Sequence, residues 1–163
     1  MTERTRTYTW HDPIGVLEAI RAEGLAPLEY FRRMVSGDLP PPAIAETLGY
    51  RLVEAEPGRT SFEVVPQAFH YNPIGTVHAG LALTLLDSAM GCALASTLEA
   101  SARWTTLEVK ANFTRAITVD TGPLRCTGTL VHPGKTVATA EARLEDSAGR
   151  LYAHGTCTLL LLA

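Results

Sequence analysis

One carboxylate stands inside an otherwise apolar run. From Leu81 to Leu98 the chain is nearly continuously hydrophobic, and Asp87 is its single acid. Just upstream lies a polar, turn-prone loop, His70-Tyr71-Asn72-Pro73-Ile74-Gly75-Thr76-Val77-His78-Ala79-Gly80. The run is too long and too rich in Ala, Leu and Met for a strand. As a helix of about 20 residues it would span about 30 Å. Its apolar residues fall on every face, which predicts burial on most sides. The first N–H groups of such a helix have no partner within it, and its dipole favours negative charge at that end. A loop of polar groups opening onto that end is therefore a candidate site. Asp87 has two readings, a structural acid satisfied by hydrogen bonds or a reactive group. Asp is a poor helix former and costly to bury; with the loop beside it, the reactive reading is favoured. A membrane span fits on length alone. Asp87, Thr84, Ser88 and Ser96 inside the run, with no basic flank after it, argue against that.

Composition narrows the classes. The chain has 163 residues, 46% of them apolar, which fits one domain with a substantial core. The net charge of -3, with no basic block, argues against nucleic acid as a partner. The N-terminus carries no apolar segment of the signal-peptide kind. Cys92, Cys126 and Cys157 form no CxxC pair and are odd in number, so they read as reduced core thiols of a cytoplasmic protein. The five histidines show no metal-ligand spacing, so no metal is expected.

The elements that must position the site follow in order. Residues 1–42 read as an N-terminal helical extension and 43–163 as the main domain. Residues 13–35 are expected to be helical, with Pro13 in the first turn, Ile14, Leu17 and Ile20 at helical spacing, and a break near Gly24 and Pro27. Leu28, Phe31 and Met34 would face inward on the second piece. Pro40-Pro41-Pro42 is a stiff spacer, and Ile44 to Leu48 a helical turn. Tyr50–Ala55 and Arg59–Val65 read as a hairpin about Pro57-Gly58. After the long helix come four strands, near residues 104–114, 124–132, 136–145 and 151–162. In the first, Leu107, Val109, Ala111 and Phe113 alternate against Thr106, Glu108, Lys110 and Asn112. The connections are short, so successive strands are expected to be antiparallel neighbours. The sum is an α+β domain, one antiparallel sheet curled around one long buried helix.

Asn72-Pro73-Ile74-Gly75-Thr76-Val77-His78-Ala79-Gly80, followed at fixed spacing by Asp87, resembles the N-x-x-G-x-x-H-G-G-x(6)-D pattern of hotdog-fold acyl-CoA thioesterases, in particular the phenylacetate-pathway (PaaI-like) group. Thr105 to Phe113 resembles that family's central strand, and the likeness covers roughly residues 40–162. It implies hydrolysis of acyl-CoA thioesters, aromatic or medium-chain, to free acid and CoA. CoA arrives as part of the substrate, and no separate cofactor is implied. Asn72 and the backbone N–H at Ala79 would polarise the carbonyl, and Asp87 would act as base or nucleophile. Thr106 would help orient water, and His78 would shape the site. Homodimers, often paired into tetramers, are implied as well. Ala79 departs from the pattern, which has Gly there.

The residues support this chemistry independently. Thioester hydrolysis needs donors aimed at a developing oxyanion and a group that delivers water or attacks directly. Ala79 and Asp87 are eight residues apart, about 12 Å along one helix. One carbonyl carbon cannot lie about 3 Å from both, so the halves of a site must come from two subunits with antiparallel helices. The plainer readings stand beside these. His78 caps the helix or shapes the site, and Thr106 is a strand threonine or a water-orienting hydroxyl. Gly80 belongs to the substrate-binding helix start; His70 and Tyr71 are loop packing or acyl contacts. Among Arg115, Lys135 and Arg150, the Lys135-Thr136 turn is the first choice for CoA phosphates. The rival from another class is a non-catalytic acyl-CoA-binding protein on the same fold, kept open by the Ala79 methyl. A dehydratase of that fold lacks its His/Glu motif here.

Overall fold

The computed structural model describes residues 2–162. Its elements are α1 (Pro13–Ala22), α2 (Pro27–Ser36), α3 (Ala43–Leu48), β1 (Tyr50–Glu56), β2 (Arg59–Val64), α4 (Ala79–Ala95), β3 (Arg103–Phe113), β4 (Leu124–His132), β5 (Val137–Asp146) and β6 (Leu151–Leu162). One six-stranded antiparallel sheet, in the order β1-β2-β4-β5-β6-β3, curls around α4. This is the hotdog architecture expected from the sequence.

The helix is seated by two contacts at Ala89. Thr60 Oγ1 on β2 donates to the Ala89 carbonyl at 2.9 Å. On β4, a Cβ added to Gly128 would lie 2.3 Å from that same oxygen, so glycine there lets sheet and helix backbones meet. Leu85, Leu86, Ala89, Met90 and Ala93 are wholly buried against the sheet. The residues of α4 that keep exposure form one stripe, Ala79, Gly80, Leu83, Thr84, Asp87, Ser88, Gly91 and Cys92, repeating at spacings of three and four. Asp87 sits within that stripe. The helix ends at Ala95, earlier than the apolar run suggests. Ser96 Oγ donates to the Ala93 carbonyl and accepts from the Gly58 N–H, both at 2.8 Å, and Thr97 Oγ1 donates to the Leu94 carbonyl. These hydroxyls take over the last turn and tie it to the β1–β2 turn.

Two expectations fail at β3. It does not pair with β4. Residues 114–123 carry the chain away, anchored by buried Ile117, whose carbonyl accepts from Val77 N at 2.8 Å. β3 pairs instead with β6 and forms one edge of the sheet. Its alternation also inverts partway. Thr106 opposes Leu159 and Glu108 opposes Thr158, so Leu107 is an extra residue, a β-bulge. Before the bulge Trp104 and Thr106 turn inward; after it Val109 and Ala111 do, while Leu107 stands 58% exposed.

The N-terminal helices pack where α4 ends. Asp12 caps α1 through both carboxylate oxygens, accepting from the N–H groups of Ile14 and Gly15 at 3.1 Å. Phe31 of α2 is buried with Ala55 and Ala95, and Leu28, Met34 and Trp104 pack around them. Of the spaced apolar residues on α1 only Ile20 is buried; Ile14 and Leu17 are exposed. No helix among the described residues is long and apolar enough to cross a membrane.

Candidate active site

The loop before α4 is fixed by its own hydrogen bonds. Asn72 Oδ1 accepts from the N–H groups of Ile74 and Thr76, its Nδ2 donates to Thr76 Oγ1 at 2.9 Å, and its own N–H donates to the Thr76 carbonyl. Gly75 turns the loop with φ +83°, a conformation that glycine adopts without strain. His78 N donates to the His70 carbonyl at 2.8 Å, and the Tyr71 hydroxyl accepts from Val119 N. Asn72 retains one further amide hydrogen, and the loop holds it beside the start of α4. Asn72, Ala79, Phe113, Arg115 and Tyr152 share a cavity of about 300 Å³ there.

The N-terminus of α4 has one donor to spare. His78 is its cap, with Nδ1 accepting from Gly80 N at 2.8 Å. A ring accepting at Nδ1 carries its proton on Nε2 when neutral. Leu81 N donates to the His78 carbonyl. The Ala79 N–H makes no hydrogen bond among the described residues and borders the Asn72 cavity. This geometry accounts for the departure at Ala79. A Cβ on Gly80 would sit 2.8 Å from His78 Nδ1, so Gly80 cannot change without displacing the cap. Ala79 is exposed and its methyl has room.

Asp87 belongs to a different neighbourhood. Thr106 Oγ1 donates to its Oδ1 at 2.9 Å, which leaves Oδ2 without a protein partner among the described residues. The bulge at Leu107 makes this contact possible by turning Thr106 inward. Next to Asp87, Ser88 Oγ lies 3.2 Å from the Tyr50 hydroxyl. Burial, and then the Asp87 carboxylate, push the Cys92 thiol up to about 12. Cys157 is raised to about 11, chiefly by burial, and Cys126 is raised by burial too. All three cysteines are free thiols.

The remaining candidates separate. Both ring nitrogens of buried His70 are engaged: Nδ1 accepts from Gln67 N at 3.0 Å and Nε2 lies 2.7 Å from the Leu48 carbonyl. That ring ties the loop to α3, and burial holds its pKa below the ordinary value. His78, Gly80, Thr84 and Tyr71 face a second cavity of about 600 Å³, closed by Arg6 and Tyr8 of the N-terminal segment. Lys135 and Thr136 are exposed in the β4–β5 turn, where the Thr136 carbonyl accepts from Leu161 N, and neither lines the Asn72 cavity. Arg150 is bound to Asp146 at 2.6 Å. The cation brought to the Asn72 cavity is Arg115. Its position, two residues past β3, carries no signal in the sequence. No cluster of three metal-binding side chains occurs among the described residues.

Within one chain, then, the donors (Asn72 and the Ala79 N–H) and the carboxylate pair (Asp87 and Thr106) lie in separate places, about 12 Å apart along α4. Comparison with other proteins gives a consistent picture. The family model of the thioesterase superfamily matches residues 74–153. Over 116 residues the chain is 24% identical to a 1,4-dihydroxy-2-naphthoyl-CoA hydrolase of Listeria monocytogenes, covering 71% of this chain and 93% of that protein. It is similar to a phenylacetic acid degradation-related protein of Ralstonia eutropha, at 31% identity and TM-score 0.71, over 80% of this chain and 98% of that one. A thioesterase family protein of Silicibacter pomeroyi gives 30% identity and TM-score 0.70, over 81% and 98%.

Proposed function

Because the chain belongs to the thioesterase superfamily, we propose that it hydrolyses acyl-CoA thioesters, aromatic or medium-chain, at sites shared between two subunits. One observation carries the reading: the Asp87–Thr106 pair and the Asn72–Ala79 donors lie at two points along one helix, too far apart to serve one carbonyl. Two copies of α4 lying antiparallel would bring each Asp87 to the partner's helix start. The half-exposed stripe on α4 supports this pairing. So does Gly91, a helix-interior glycine whose added Cβ would meet nothing within 4 Å in its own chain. β3 is an 11-residue edge strand with Leu107 and Phe113 exposed, and such an edge invites pairing with a second copy. The naphthoyl-CoA and phenylacetic-acid names of the relatives support an aromatic acyl group.

In the proposed reaction the thioester carbonyl oxygen rests on the Ala79 N–H with the Asn72 amide beside it. Asp87, its Oδ1 held by Thr106, takes a proton from water through Oδ2 as the water oxygen bonds to the carbonyl carbon. The tetrahedral oxyanion is stabilised by donors already in place. It collapses by breaking the C–S bond, and the proton passes to the CoA thiolate. Free acid and CoA-SH result, with no redox change. Arg115 supplies positive charge where CoA enters.

Asp87→Asn tests the reading, because it is nearly isosteric and removes the charge. Turnover should fall by about 10²–10⁴-fold, the usual worth of a general base, with acyl-CoA binding retained. Near wild-type turnover would refute it. Mixing Asn72→Ala and Asp87→Asn subunits after reversible dissociation tests the sharing. Random pairing makes half the dimers mixed, each with one intact site of two, so about a quarter of wild-type activity should return. No recovery, or an active monomer in sedimentation, would exclude a shared site.

A further inference from the structure

A further cavity lies away from the loop–helix junction. It measures about 770 Å³ and opens between the N-terminal helices and the start of β3, walled by Leu17, Ile20, Leu25, Tyr30, Ala102 and Trp104. That is the size of a small-molecule site; its lining is mainly apolar, with Arg21 and Arg103 also on it. Helices α1 and α2 precede the family-matched segment, so one wall of this cavity lies outside it while the Ala100–Trp104 wall lies within it. Its wall residue Trp104 leads toward the proposed site. Trp104 and Thr106 lie two residues apart on the inward face of β3, about 7 Å along the strand. Trp104 packs against the core around α4 and against the Phe31, Ala55 and Ala95 group. Tyr30, Trp104 and Cys92, the last five residues past Asp87 on α4, pack against the same buried group of Phe31, Ala55 and Ala95.

We infer that this cavity takes the tail of the acyl group, so that α1 and α2 set which acyl chains the protein accepts. The inference rests on the hydrolytic reading above. With the carbonyl beside Asp87 and Thr106, the chain runs along the Trp104 ring and ends between Leu17 and Leu25. At ~1.5 Å per carbon–carbon bond, about five carbons reach Trp104. Shorter acyl groups stop before the cavity, and longer or aromatic ones enter it and bury their apolar surface there.

Filling the cavity tests this. Ala102→Phe narrows it from the strand side, and Leu17→Phe, on the exposed face of α1, narrows its mouth without entering the core. Each is assayed by thiol release on straight-chain acyl-CoAs from butyryl to dodecanoyl. On decanoyl-CoA, kcat/KM should fall at least about tenfold, the scale on which an apolar pocket discriminates by fit, while butyryl-CoA changes by less than about twofold. A second readout needs no turnover. In a Trp10→Phe background Trp104 is the remaining tryptophan, and titration with decanoic acid should shift its fluorescence saturably, with the shift weakened by Ala102→Phe. If the protein hydrolyses no thioester yet this titration saturates, the hydrolytic reading fails and the cavity assignment survives as a binding site. If it hydrolyses thioesters but both filling variants leave the chain-length profile and the titration unmoved, the assignment is overturned.

Discussion

Thr106→Val removes one hydrogen atom's worth of chemistry from the proposed site. Val keeps the branched shape and suits a strand, so β3 and its bulge should persist. What is lost is the 2.9 Å bond to Asp87 Oδ1. A hydrogen bond to a charged group is worth about 1.5–3 kcal/mol. Asp87 is only half-buried, so the lower end applies, about 1.5–2 kcal/mol. If that bond holds the carboxylate in its working orientation through the transition state, kcat should fall about 10–30-fold at saturating acyl-CoA. KM should move little, because Thr106 is not placed against CoA. The folded state should lose about 1 kcal/mol, near 2–4 °C in Tm for a chain of this size. Thr106→Ser restores the hydroxyl and should recover kcat to within about threefold. Thiol release under initial-rate conditions reads all of these. A Val variant within about twofold of wild type would refute the positioning role, as would a Ser variant as impaired as Val.

Two further outcomes follow from the fold. Gly128→Ala would place a methyl 2.3 Å from the Ala89 carbonyl and disturb the Thr60 bond to the same oxygen; it should cost about 2–4 kcal/mol, and an unchanged denaturant midpoint would contradict the seating of α4 on β4. His70 has its pKa held down by burial, so below about 6.5 the unfolded chain binds a proton that the folded ring resists. Stability from this group is therefore present above that pH and lost as pH falls. Melting between about pH 7.5 and 5.5 should decline in wild type and decline less steeply in His70→Gln; equal slopes would show that His70 is not the group responsible.

The sequence carried the fold wherever periodicity and turn chemistry agreed. Asp146 to Gly149 ends β5 and opens β6 where expected, because a turn of Asp, Ser and Gly leaves little choice. The apolar run announced α4 through length and composition. The site was legible where chemistry is odd for its setting, as with Asp87 in a hydrophobic helix. What stayed hidden depends on tertiary pairing. A single extra residue, Leu107, inverts the face of β3 and sends Thr106 to Asp87; in sequence Leu107 looks like an inward strand residue. β3 lies beside β6, and the segment after it is held where Val77 N–H meets the Ile117 carbonyl, a contact that no local pattern encodes. Arg115 was one cation among several until the crossover carried it to the Asn72 cavity, and the engagement of both His70 nitrogens depends on a carbonyl 22 residues away.

The three thiols have an operational consequence. Cys92 and Cys157, raised to about 12 and about 11, and Cys126 behind them hold almost no thiolate near neutrality, and thiolate is the form that attacks electrophiles. A colorimetric reagent that reports CoA-SH will therefore meet a native protein that barely consumes it, so progress curves start from a flat baseline. The same silence makes the cysteines a fold reporter. When a variant unravels, up to three equivalents per chain become reactive, and the dye records that burst in the same cuvette as turnover. A substitution that blocks chemistry and one that unfolds the chain are thereby distinguished by stoichiometry, with no second instrument.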